Sequence, residues 1–406
     1  MALHSSLVRA GLALSFAFPA CAVHDAFQPA APSSGGTASC ARDAAGDPVC
    51  LRARIDCAPG SLECERALVD PIGQLRALPV VGAPMSFRAG EMAGVNRLNH
   101  FQSVQRVACA GPARFLVTRS TADPGDADFG LVEPGRLSAA FDTGTAYTHA
   151  GGGQRMGPFF AVPLERGAAG SAVFLYDVAA PGAPRRVAVV PHVGPAGEEI
   201  DQAGTASLAA LADGHYLLVI GRRHANQLDF YRSVTTDLAA TGWSYLDHWS
   251  EAELASAIGD REFGDYQNLA LLPGADGALY LLGSHRDRGG IDWLDLHRLG
   301  ATAGPRGLGV VITKVARKHL RCSRDGAEHC DLDAGAGAYV GADGRLRVYA
   351  ISRGVRDRRS RGARASVGMM EFASTAPLAA APSSSLTPVS HLAGQPGHRR
   401  FIGWWR

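Results

Sequence analysis

Between residues 264 and 299 the apolar positions fall into three short runs separated by two polar breaks. Residues 269–272 and 279–282 are continuous apolar runs, and residues 291–296 alternate apolar with polar side chains. The first break is Pro273-Gly-Ala-Asp-Gly277, and the second, residues 284–290, carries histidine and arginine. Runs of this length, bounded by residues that tolerate positive φ or bond their own backbone, predict three antiparallel strands in a meander.

The same order recurs, with strands predicted at 98–107, 115–118 and, more faintly, 129–132. It returns at 159–162, 172–178 and 186–190, and again at 207–211, 216–220 and 227–231. Residues 309–315 complete the opening stretch, and 337–340, 346–351 and 367–372 form the last set. A short strand is also expected in the Leu-Pro-Val-Val run at 78–81. The repeats start near residues 100, 150, 204, 267 and 335. Loose repetition of short strands predicts an all-β fold, a β-propeller of five four-stranded blades whose ring leaves no free edge. Six or seven blades are possible if the region before residue 98 and the tail add strands, and a β-sandwich is the competing arrangement. Residues 250–258 break the pattern as a short helix, with serine at its cap and acidic residues in its first turn.

Composition adds the compartment. The 406 residues are 46% hydrophobic and 19% charged, with a formal charge of +2, so bulk electrostatics gives no reason to expect nucleic acid. A basic start, an apolar run at 10–20 and Ala20-Cys-Ala22 read as a signal peptide over residues 1–22, which predicts a secreted or periplasmic protein. Cys21 keeps a lipid anchor, and an outer-membrane lipoprotein, as the alternative. Residues 23–39 read as a linker. Residues 40–66 read as a small N-terminal extension stapled by disulfides among Cys40, Cys50, Cys57 and Cys64, whose spacings do not suit a zinc knuckle. The propeller then spans 67–373, with Cys322 and Cys330 as a local pair and Cys109 as a buried thiol, and 374–406 is a Pro/Ser-rich tail ending in aromatic residues.

Propeller topology turns strand order into a spatial expectation. The segment leading into each first strand and the loop joining the second and third strands open at one end, and the Asp-Gly turns at the other. The first end would collect His100, Gln102, His149, Gln202, Arg222, His224, Gln267, His285, Arg286 and Asp331 as ligand-binding groups. Arginine forks and amides suit anionic or carbohydrate ligands. Asp201 and Asp265 are the candidate catalytic carboxylates of a hydrolase of a glycosidic, ester or phosphoester bond. His100, His149, Asp201 and Asp265 form a candidate site for calcium or another divalent metal. A protein-interaction scaffold is a further reading. The arginine-rich loop at 353–364 adds an exposed basic segment suited to an anionic polymer or envelope component.

The phrases Asn99-His-Phe-Gln102, Asp213-Gly-His-Tyr-Leu-Leu-Val219, Asp292-Trp-Leu-Asp-Leu296 and Cys330-Asp-Leu-Asp-Ala-Gly-Ala336 resemble those of secreted bacterial β-propeller proteins, a largely uncharacterised group. The resemblance covers roughly residues 95–373. It implies architecture and export, and no catalytic assignment.

Overall fold

The computed structural model describes residues 40–42, 48–55, 66–93, 100–107, 112–120, 127–144, 147–166, 170–240, 242–258, 265–304, 307–324, 326–341, 343–355 and 366–376. The segments read as a signal peptide and linker, Cys21, Cys57, Cys64, Cys109, most of the arginine-rich loop and residues 377–406 lie outside them.

The described strands pair into five four-stranded antiparallel units. The first is His100–Arg106, Phe115–Ser120, Asp128–Glu133 and Arg136–Asp142. The second has an inner strand in two pieces, His149–Ala150 and Gln154–Met156, followed by Phe159–Glu165, Ser171–Asp177 and Arg185–Pro191. The third is Thr205–Ala210, Tyr216–Arg222, Gln227–Ser233 and Trp243–Trp249. The fourth is Asn268–Pro273, Leu279–Arg286, Asp292–Gly304 and Gly307–Leu320. The fifth has Gly335–Val340, Leu346–Val355 and Ser366–Ala373. Its outer strand, Ala83–Arg88, comes from the other side of the chain and pairs antiparallel with Ser366–Ala373.

Why the strands read as continuous apolar runs is now plain. Successive side chains of a strand point to opposite faces, and both faces are covered. Leu217 and Val219 pack between the third and fourth units, whereas Tyr216, Leu218 and Ile220 pack between the second and third. Three further clusters lie between the fourth and fifth units, the fifth and first, and the first and second. The apolar surface therefore forms five wedges around a closed ring.

At the axis the inner strands nearly touch. Ala336 pairs with Ser103 and Gly152 with Thr205 in parallel bridges between consecutive units. A Cβ on Gly152 would lie 2.6 Å from the Gln267 carbonyl oxygen and 2.9 Å from Asn268 Oδ1, so only glycine lets these strands approach. Gln154 ties three units here. Its Nε2 donates to the Leu271 carbonyl (2.8 Å), and its Oε1 accepts from the amides of Leu271 (2.9 Å) and Leu208 (3.2 Å).

The Asp-Gly turns lie at the end away from the lead-in segments, with Gly214, Gly277 and Gly344 at φ of 91°, 78° and 69°. Residues 51–55 cross two of them. The Ala53 amide donates to the Gly277 carbonyl and the Arg54 amide to the Ala210 carbonyl, each at 2.9 Å. Cys40 faces Cys50 in a short antiparallel pair, and the disulfide among the described residues is Cys322–Cys330, within the fourth-to-fifth connection. The strand expected at 78–81 is not formed. Val80 and Val81 are exposed, and the strand begins at Ala83, past the proline at 79. The helix Glu251–Ile258 is present, with a reciprocal cap: the Ser250 amide donates to Glu253 Oε2 (2.8 Å) and the Glu253 amide to Ser250 Oγ (3.4 Å). No helix among the described residues is long and apolar enough to cross a membrane.

Replacing Gln154 by leucine strands buried amides of two neighbouring units. It should lower unfolding free energy by about 2–4 kcal/mol, taking about 1–3 kcal/mol per buried unsatisfied group, read from the urea midpoint at unchanged slope.

Candidate functional site

The start of each inner strand and the end of each second strand lie at the same end of the ring, opposite the Asp-Gly turns. There a basin of about 480 Å³ opens above the crowded axis. It is lined by His100, Gln102 and Ser120 of the first unit, His149 and Glu165 of the second, and Gln202, Gly204, Arg223 and His224 around the third. Gln267 and Arg353 complete it from the fourth and fifth. The structure thus brings together six residues singled out from sequence: His100, Gln102, His149, Gln202, His224 and Gln267.

The floor is an amide and imidazole chain. Gln102 donates through Nε2 to His100 Nε2 (2.6 Å) and accepts at Oε1 from Gln267 Nε2. Both glutamines are buried. On the wall, His149 Nδ1 bonds Glu165 Oε2 (2.7 Å), and Glu165 Oε1 accepts from the Ala203 amide (2.8 Å). Burial pushes the Glu165 pKa up, but the bond and charge of His149 and the Ala203 amide outweigh it and hold the carboxyl below its usual range. With Nδ1 donating to a carboxylate, the neutral form of His149 has Nε2 as its proton acceptor. That nitrogen is buried and has no hydrogen-bond partner among the described residues. On the rim, Arg223 Nε donates to Gln202 Oε1 (3.0 Å), and Arg353 Nη2 pairs with Asp333 (2.6 Å).

The remaining sequence candidates are placed elsewhere. Asp201 and Asp265 are exposed and do not line the basin. Gln202, next to Asp201, does, as expected where adjacent side chains of extended chain point opposite ways, and so does Gln267, two residues past Asp265. Asp265 itself sits at φ 48°. Arg222 is committed to Asp229 in a two-point fork, at 2.6 and 2.8 Å. His285 is buried beside Asp295 (3.5 Å) and edge-on to Tyr266. Arg286 pairs with Asp292 (2.9 Å) and Glu328 (3.0 Å), with Asp331 at 3.6 Å. These groups hold strands together. Among the described residues no three His, Cys, Asp or Glu side chains are placed to hold a metal ion, so His100, His149, Asp201 and Asp265 do not form the expected cation site.

Two buried carboxylates escaped the sequence reading. Asp229 accepts from His192 (2.9 Å), His248 (2.9 Å), Tyr245 (3.0 Å) and Arg222. Asp295, at the matching register position of the fourth unit, accepts from Arg317 (2.7 and 3.0 Å) and Tyr266 (2.9 Å), with Lys314 at 3.1 Å. Burial would raise both pKa values. At Asp229 the bonds from His192, His248 and Arg222 hold the carboxyl far below the carboxylate range, and at Asp295 the adjacent His285 and the bonds from Arg317 do so. Ser120 likewise entered the basin without being chosen, beside Glu165 and Arg353, which the loops joining second and third strands were expected to bring to this end. Its only sequence signal is position at the end of a second strand.

No family model matches the sequence, and no curated protein sequence does. Among solved structures, the chain is similar to a Bombyx mori GH32 beta-fructofuranosidase mutant in complex with sucrose. The identity is 11%, over 70% of this chain and 61% of that one, with a TM-score of 0.42. An alpha-L-arabinofuranosidase from Podospora anserina in complex with cellotriose gives 10% identity over 73% of this chain and 98% of that one, with a TM-score of 0.38. AofleA from Arthrobotrys oligospora gives 12% over 70% and 88%, with a TM-score of 0.36. The chain spans about three fifths of the Bombyx mori enzyme. Similarity at this level assigns no function, and it is not specific to bacterial proteins.

Asp229→Asn leaves the buried end of Arg222 uncompensated and should cost about 3–5 kcal/mol at neutral pH. Because the folded-state pKa of Asp229 is depressed, its contribution is present above the unfolded value of about 3.9 and fades as pH falls below it. Denaturant titrations of both proteins should show the gap narrowing from pH 7 toward acid. A gap that widens would contradict the assignment.

Proposed function

We propose that the chain is a five-bladed propeller, latched by Ala83–Arg88, whose basin binds a carbohydrate or anionic ligand in an exported protein. Residues 40–66 are then a stapled extension and residues 67–373 the propeller. One observation carries the reading: amides and imidazoles from separate units converge on an enclosed floor. Gln102, Gln267, Gln202, His100 and His224 offer donors and acceptors, which suit sugar hydroxyls. Sites of about 300–1,000 Å³ suit small ligands, and this basin falls within that range. Titration calorimetry against neutral and acidic oligosaccharides tests it. Gln267→Leu should weaken binding about tenfold, the equivalent of about 1.4 kcal/mol. Unchanged affinity in that variant would remove the basin from the account.

A hydrolytic reading of the same basin is favoured by the His149–Glu165 pair (2.7 Å) with its buried acceptor nitrogen. Glu165 orients the ring and His149 Nε2 takes a proton from water or a sugar hydroxyl. Chromogenic glycosides, esters and phosphoesters test it. His149→Gln should lower kcat by about 10²–10⁴ with little change in KM. Equal turnover by the wild type and the variant would leave binding as the function.

A further inference from the structure

We infer that Arg223 is the docking point for a carboxylate carried on a sugar ring, so that the ligand of the basin is an acidic glycan of uronic-acid type. This rests on the basin being the binding site. It names the ligand class and the residue that selects it.

Four arginines at this end of the ring already have carboxylates. Arg119 forks onto Asp128, Arg222 onto Asp229 and Arg286 onto Asp292, and Arg353 pairs with Asp333. Arg223 differs. Its side chain donates from Nε to the neutral Gln202 Oε1 at 3.0 Å, and no carboxylate pairs with it among the described residues. The bond fixes the plane of the guanidinium and leaves its two terminal nitrogens to present a fork, the geometry that matches a carboxylate at two points.

The backbone that carries Arg223 is held under strain. Its φ is 51° and that of Ala225 is 48°, a left-handed conformation uncommon for residues with a side chain. Two such residues share the turn between Arg222 and Gln227. The Arg223 carbonyl packs onto Gly204, where a Cβ would stand 2.0 Å from its oxygen. The glycine lets the turn press down on the lead-in to the third inner strand, which keeps Arg223 in the lining at the rim of the basin.

The rest of the lining decides what kind of anion fits. Glu165, the carboxylate in the lining, is occupied by His149 and the Ala203 amide, so its charge is partly offset toward the fork. Gln202, Gln267, Gln102 and His100 are groups suited to hydroxyls. Among the described residues, one guanidinium without a carboxylate beside several hydroxyl partners, in about 480 Å³, describes a monoanionic sugar better than a bare phosphate or sulfate, which would leave most of the basin empty.

The test uses the full chain with trigalacturonate and its methyl-esterified form, which keeps the sugar rings and replaces each carboxylate by an uncharged ester. The acid should bind wild type about tenfold more tightly than the ester, and this preference should shrink at high salt. Arg223→Gln should bring the acid to the affinity of the ester and leave the ester unchanged. Arg223→Lys should recover part of the preference, since it keeps the charge and loses the fork. Equal wild-type affinities, or an Arg223→Gln variant that loses both ligands alike, would overturn the inference. If neither trisaccharide binds, the glycan reading itself fails, and glucuronate then decides the role of Arg223 by NMR. A saturable shift of the Nε–H resonance that is missing in Arg223→Gln sustains carboxylate docking, and an unmoved resonance ends it.

Discussion

The approach of the inner strands at the axis governs everything above it. Backbone groups brought into such a narrow space cannot reach bulk water and must find partners inside. Gln154 supplies partners to Leu208 and Leu271. Thr205 Oγ1 donates to the Gly152 carbonyl (2.9 Å) and accepts from the Leu269 amide (3.1 Å). Glycines at 151, 152 and 204 remove the side chains that would hold the strands apart. The consequence is functional. A crowded axis gives the basin a floor, so polar residues from separate units meet in a closed-bottomed bowl instead of lining a pore.

Above that floor the electrostatics is organised by neutralisation. Forks between a second-strand arginine and a third-strand aspartate recur at Arg119–Asp128, Arg222–Asp229 and Arg286–Asp292. Each ties two strands where ladder hydrogen bonding ends. A buried fork of this kind stabilises little beyond an apolar pair of the same shape, yet losing one partner is expensive. Such pairs therefore lock the geometry of the rim. Against this background the groups left with chemistry to offer are few: the His149 acceptor nitrogen, the glutamine amides of the floor and the Arg223 fork.

How much of this was legible in the sequence follows from which signals are local. Strands covered on both faces give unbroken apolar runs, so 216–220, 269–272 and 279–282 could be read directly, and the Asp-Gly turns fixed which end was which. From that came the convergence of His100, Gln102, His149, Gln202, His224 and Gln267. Asp229 and Asp295 were invisible because a strand aspartate becomes a buried hub only through partners on other strands. The latch at Ala83–Arg88 was hidden because its partner lies some 280 residues away along the chain. Asp201 and Asp265 misled for a simpler reason. Asp201 sits next to a basin glutamine, and alternation sends its side chain elsewhere, whereas Asp265 stands two residues before one, at a left-handed turn of the backbone.

The same geometry constrains any chemistry the basin performs. Hydrolysis of a glycosidic bond by two carboxyl groups needs them about 5–5.5 Å or 6.5–9.5 Å apart across the bond. Glu165 is the single carboxylate of the lining among the described residues, and it is ionised and already bonded to an imidazole. A carboxylate held below its usual pKa cannot serve as the proton donor to a leaving group near neutrality. It is well suited, however, to orient His149 and to stabilise the imidazolium that forms when Nε2 takes a proton. Catalysis in this bowl would accordingly run through the imidazole as a base, which favours ester or phosphoester cleavage over the two-carboxylate route.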